Sequence, residues 1–340
     1  MNRRKDGMRI IVDAMGGDHA PDEIIKGSIE AVQEYGINLV LVGQEKVIKE
    51  KLSEYNAPAD RFELVDAEEI ITTQESPVMA IKKKPNSSMV KGLQMLRSEP
   101  NSVFLSAGST GALMAGALLK VGRIKGIDRP ALAPMIPNRK DGTLLIDAGA
   151  NADCKVENLV QFAIMGSIYV EKVLGRQNPT VGLANIGEEE TKGNELTKAA
   201  YQELKKLQNI NFIGNIEARD FPAGVVDVLV CDGFVGNTIL KLTEGLAINM
   251  FAMLKEEMMK SFTSKLGALL LKPGLKNFKS KMDYTEHGGA PLLGINGGVI
   301  KAHGSSNAKA IKNAIRQALK FQENRVLDHI KLSIGNFKEE

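Results

Sequence analysis

Residues 103–117, Val-Phe-Leu-Ser-Ala-Gly-Ser-Thr-Gly-Ala-Leu-Met-Ala-Gly-Ala, read as a buried strand that stops at Gly108 and re-enters the fold as a helix from about Thr110. Gly108 and Gly111 let the backbone turn tightly and approach a ligand. Ser109 and Thr110 offer hydroxyls, and a helix start offers unpaired N–H groups at its positive dipole end. Taken alone, this is an ordinary strand-to-helix turn with Ser109 or Thr110 as N-cap. Repetition argues for more, because polar, glycine-rich turns also follow apolar runs at Asp13, Gly16 and Gly17, at Asp147 and Asn151, and at Asp232, Gly233, Gly236 and Asn237. In open α/β sheets such turns gather at the carboxyl ends of the strands, where ligands bind.

The rest of the chain keeps the same rhythm. Apolar strands are expected over 8–13, 38–42, 62–65, 131–136, 143–147, 180–185, 211–213 and 226–231, with amphipathic helices between most of them. The alternation implies βαβ units and a mostly parallel sheet. Asp141-Gly142 between two short strands, and an apolar hairpin at 288–301, add antiparallel pairs, so the fold class is α/β with a mixed sheet. A chain of 340 residues, 43% hydrophobic and 25% charged, can bury one large two-lobed core. No apolar run approaches a membrane span, and the first seven residues lack a signal segment, so a cytoplasmic protein is expected. A net charge of +3 and the absence of Trp argue against nucleic acid. Cys154 and Cys231 are far apart and the four histidines are dispersed, so no metal motif is present.

Two further stretches stand out. From Lys255 to Lys281 seven Lys face two Glu, interleaved with Met258, Met259, Phe262, Leu266 and Leu269 to Leu271. This is either a helical hairpin whose apolar stripe meets a dimer partner or the core, or a basic amphipathic patch for anionic lipid or an acidic protein. Toward the end, the hairpin delivers Lys301 and His303 to Gly304-Ser305-Ser306, which reads as another helix start. His303 is either structural or part of a site. The triple Lys at 82–84 is a solvated face or an aid to anion binding.

Six ordered motifs resemble the bacterial phosphate acyltransferase (PlsX) family: residues 13–21, 106–112, 147–151, 185–189, 232–237 and 293–297. The resemblance spans residues 8 to about 325. It implies a three-layer α/β/α fold similar to the isocitrate/isopropylmalate dehydrogenases, and a homodimer. It also implies acyl transfer from acyl carrier protein to inorganic phosphate, giving acyl phosphate for phospholipid synthesis. The organisation expected is a leading segment 1–7, one two-lobed catalytic domain 8–330 with a helical projection at about 250–282, and a C-terminal tail 331–340.

That chemistry suits the residues. Phosphate is already a nucleophile and a thiolate leaves readily, so a Ser-His-Asp triad is unnecessary and no covalent acyl-enzyme is expected. The catalytic candidates are His303, Lys301 and Asn237. The phosphate or substrate candidates are Gly108, Ser109, Thr110, Gly111, Asp147, Asn151, Asp232, Gly233, Gly236, Asp13, Gly16 and Gly17. No cofactor or metal is expected, while an anionic membrane surface or a membrane acyltransferase are further candidate partners. A nicotinamide-dependent dehydrogenase is the rival enzyme, although no Gly-x-Gly-x-x-Gly follows a strand and no Walker motif occurs. A membrane scaffold built on the basic patch is the non-enzymatic rival, and it leaves the glycine-rich turns unexplained.

Overall fold

The computed structural model describes residues 9–99, 101–281 and 288–339. The leading segment 1–7 and Met8 lie outside the described residues, as does the end of the projection at residue 282. Among the described residues two sheets form. The first takes β1 (Ile10–Asp13), β2 (Leu39–Gly43), β3 (Phe62–Asp66), β4 (Val103–Ser106), β5 (Ala131–Leu132), β11 (Ala290–Leu293) and β12 (Gly298–Lys301), in the order β3-β2-β1-β4-β12-β11-β5. From β3 to β12 it is parallel, with Ile11 opposite Val40 on one side and Phe104 on the other. Both faces of β1, β2 and β4 are covered, which is why these strands are unbroken apolar runs. The second sheet takes β6 (Met135–Ile136), β7 (Thr143–Ile146), β8 (Thr180–Asn185), β9 (Asn211–Glu217) and β10 (Val228–Val230), in the order β6-β7-β10-β8-β9. Antiparallel pairing occurs at β6 with β7 and at β11 with its neighbours β12 and β5.

The apolar run 131–136, expected as one strand, is split. β5 joins the first sheet and β6 the second, with Pro134 at the crossing. Proline has no N–H for a ladder, and here only its carbonyl is used, accepting from Leu145 N–H at 3.0 Å. This crossing joins the lobes from one side, and helix α6 (Val156–Leu174) joins them from within. α6 is buried almost all round, packing on β7, β8 and β10 while also meeting α10 (Ala308–Glu323) and α11 (Val326–Glu339). One cluster of buried side chains therefore runs through both lobes. α10 also lies against α1 (Asp22–Tyr35), where Gly27 is required: a Cβ there would stand 2.4 Å from Ala308 O. The segment set apart in the sequence as a tail is the second half of α11. Ile330 and Ile334, four apart and buried, continue one apolar face, so the chain stays packed to residue 334.

Candidate active site

On the first sheet β1, β4 and β12 are neighbours, and the turns at their carboxyl ends are tied together. Ser106 Oγ donates to Asp13 Oδ2 (2.7 Å) and accepts from Gly108 N–H (3.0 Å), while Met15 N–H donates to Asp13 Oδ1 (3.2 Å). A Cβ on Gly16 would stand 2.5 Å from Asp13 Oδ2 and 2.8 Å from Gly108 N, so only glycine lets these turns touch. Asp18 N–H donates to Gly304 O at 2.8 Å, joining the turn after β1 to the one after β12. Burial pushes the Asp13 carboxyl up, opposed by the Ser106 and Ser88 hydroxyls, Met15 N–H and the Lys301 charge. Lys301 is itself buried, and its Nζ donates to Ala107 O (3.4 Å) and Ala302 O. Burial pushes this ammonium down to about 8 despite the carboxylates of Asp18 and Asp13. Ser109 caps α5 (Thr110–Gly116), its Oγ accepting from Ala112 N–H at 3.4 Å.

On the second sheet Asp147 plays the part that Asp13 plays on the first. Its buried carboxylate accepts from Leu132 N–H (3.0 Å), Ala150 N–H (3.0 Å), Asn151 N–H (2.7 Å) and Asn151 Nδ2 (3.0 Å). Asn151 Nδ2 also donates to Pro130 O at 2.7 Å, and Asn151 O accepts from Gly233 N–H at 2.8 Å. Asp232 caps α8 (Gly233–Met259), its Oδ1 accepting from Val235 N–H at 2.9 Å. Gly236 presses the first turn of α8 onto this knot, where a Cβ would stand 1.9 Å from Asp147 O.

Between the two sets of turns lies a cleft of about 490 Å³. Thr110, Gly111, Lys301, His303 and Gly304 line it from the first lobe, and Gly149 and Asn237 from the second. Asn237, Leu240, Lys241 and Glu244 all face it, one stripe of α8 at i, i+3, i+4 and i+7. An apolar wall comes from Met114, Leu132, Pro134, Met135 and Leu240, so the strand crossing that joins the lobes is also part of the lining. His303 Nδ1 lies 2.8 Å from Ser305 Oγ and accepts from Ser305 N–H at 3.2 Å. Burial pushes the His303 imidazole below its ordinary value, with Lys301 and Lys241 adding to that shift and Glu244 and Asp18 opposing it.

The residues singled out in the sequence thus divide into two groups. Thr110, Gly111, Asn237, Lys301 and His303 meet at the cleft. Asp13, Gly16, Gly17, Gly108, Ser109, Asp147, Asn151, Asp232, Gly233 and Gly236 belong to the turns around and behind it, outside the lining. Lys241 and Glu244, an ion pair at 2.9 Å, were missed, although the helical spacing from Asn237 was there to find them. The expected helix start at Gly304 to Ser306 is instead a separate turn, with Ser306 N–H donating to His303 O at 3.1 Å. α10 begins at Ala308 because Asn307 is its cap, accepting from Ala310 N–H at 3.0 Å.

Residues 8–329 match the family described as fatty acid synthesis protein. A phosphate acyltransferase from Alkaliphilus oremlandii (strain OhILAs) is 55% identical over 333 residues, covering 98% of this chain and 99% of that one. The chain belongs to the phosphate acyltransferase family. Membership makes it an acyltransferase and sets aside the dehydrogenase and scaffold readings. The fold is shared with a phosphotransacetylase from Streptococcus pyogenes (TM-score 0.62, 15% identity, 94% of this chain and 95% of that one). It is also shared with a 4-hydroxythreonine-4-phosphate dehydrogenase from Klebsiella pneumoniae (TM-score 0.54, 12% identity, 92% and 99%). At such identities the likeness speaks of fold alone, since one fold hosts many activities.

Proposed function

We propose that the cleft transfers a fatty acyl group from the thioester of acyl carrier protein to inorganic phosphate. A phosphate oxygen attacks the carbonyl carbon, the C–S bond breaks, and the sulfur leaves with the bonding pair and takes a proton from solvent. The products are acyl phosphate and the carrier thiol. The observation that carries this reading is the convergence of a buried cation, Lys301, with Asn237, His303 and the Thr110–Gly111 turn beside an apolar wall. Lys301 and the turn suit phosphate, Asn237 and His303 suit the carbonyl oxygen as it gains charge, and the wall suits the alkyl chain. Direct attack agrees with the state of the thiols: burial pushes Cys154 up to about 12 and Cys231 well above its ordinary value, which leaves little thiolate for a covalent route.

The helical hairpin of α8 and α9 (Phe262–Lys281) is the surface we assign to partners, namely a second copy, the carrier or an anionic membrane face. Replacing Thr110 or Asn237 by Ala should lower acyl phosphate formation about tenfold or more while the melting temperature stays near that of the wild type, as for lost transition-state donors. Wild-type turnover in both variants would remove the cleft from consideration.

A further inference from the structure

We infer that Ser305 is a positioning residue that holds His303 as the Nε2–H tautomer, so that His303 offers the cleft a hydrogen-bond donor and no base. This rests on the reading of the cleft given above. A backbone N–H can only donate, so the Ser305 N–H at 3.2 Å from His303 Nδ1 favours a lone pair on that nitrogen without fixing it alone. With Nδ1 accepting, the Ser305 hydroxyl 2.8 Å away must be a donor as well. Two donors then converge on Nδ1, and the single proton of the neutral ring resides on Nε2.

The surrounding turn is built for this. Ser306 N–H closes it on His303 O at 3.1 Å, which swings the Ser305 N–H back toward the side chain two residues earlier. Gly304 O anchors the turn to Asp18 N–H at 2.8 Å. The charged groups around the ring come from three elements: Lys241 and Glu244 on α8, Lys301 on β12, and Asp18 in the turn after β1. Their sum with burial keeps the ring neutral near pH 7. A neutral imidazole gives up its last proton far too reluctantly to protonate a departing thiolate. The Nε2–H therefore serves as a fixed dipole for the developing oxyanion.

The test uses the full-length protein with 15N-labelled histidine and long-range 1H–15N correlation, which separates protonated from unprotonated ring nitrogens. The chain has four histidines, and His303→Gln identifies the signals of His303. The expected spectrum shows Nε2 protonated and Nδ1 bare. In Ser305→Ala, where only the backbone donor remains, the Nδ1–H form should grow and kcat should fall about three- to tenfold, the worth of one hydrogen bond. KM for phosphate should hold steady, and Ser305→Thr should restore both kcat and tautomer. A proton on Nδ1 in the wild type overturns the inference, and so does Ser305→Ala with unchanged tautomer and kcat. Acyl label trapped on Ser305 would also overturn it, by making that hydroxyl a nucleophile. Wild-type turnover in His303→Gln would refute the cleft role of His303 itself, and the spectrum distinguishes that failure from a wrong tautomer.

Discussion

Lys301 carries its charge in a place that resists it. The residue is 8% exposed and its pKa is lowered to about 8 by burial, so it is mostly protonated at pH 7 and loses its charge as pH rises through that value. Since kcat/KM reports the free enzyme, kcat/KM for phosphate should fall above about pH 8, whereas in Lys301→Arg the falling limb should vanish, because a guanidinium stays charged. A limb that persists unchanged in Lys301→Arg would assign it to another group. Lys301 was legible in the sequence because it ends a hairpin beside a glycine-rich turn. The carboxylates were legible only as far as their position. Asp13 and Asp147 end strands as a ligand-binding carboxylate would, yet each folds back on the N–H groups of its own neighbourhood, Met15 for the one and Leu132, Ala150 and Asn151 for the other. A polar residue at a strand end can face a ligand or close its turn, and the composition of the turn is the same in both cases.

Among the elements, α8 shows how far a motif carries. Asp232, Gly233 and Gly236 mark its start in the sequence, and the structure explains the last of them by the 1.9 Å that would separate a Cβ from Asp147 O. Gly236→Ala must push the first turn of α8 off the Asp147 knot and carry Asn237, Lys241 and Glu244 with it. We expect a loss of about 1–3 kcal/mol from overpacking and a fall in kcat beyond what the lost stability explains. Gly245→Ala on the same helix is the control: nothing lies within 4 Å of its Cβ, and replacing a helical glycine should leave kcat intact and add up to about 1 kcal/mol. Calorimetry with steady-state rates settles both, and wild-type kcat in Gly236→Ala would mean that α8 tolerates the shift. The motif marks only the capping turn, whereas the Lys241–Glu244 pair lies one and two turns further along the same face, where only helical spacing from Asn237 points to it. Pro134 is visible in the same way, but an apolar run suggests a strand without saying which of two sheets each half will join.

At the scale of the whole molecule, what the fold leaves uncovered is the α8–α9 hairpin. Phe251 and Phe278 pack at 5.5 Å between ring centroids, which holds the helices together, yet Phe262 is 83% exposed and Leu270 77%. Within one chain this stripe is therefore not a core contact, and a second copy, the carrier or lipid is the cover we propose for it. Among the described residues no helix is long and apolar enough to cross a membrane. Lipid would draw on both halves of the patch, with each Lys near an anionic surface contributing roughly 1 kcal/mol and the exposed leucines adding burial. Carrier binding would depend mainly on charge and weaken steeply with salt. We expect the protein to sediment with anionic liposomes, and a variant carrying Leu266→Glu, Leu269→Glu and Leu270→Glu to stay in solution with its oligomeric state, measured separately by light scattering, unchanged. A wild type that stays in the supernatant, or a variant that pellets as well, rules out direct lipid contact through the hairpin. A variant that instead loses its oligomeric state assigns these leucines to the second copy.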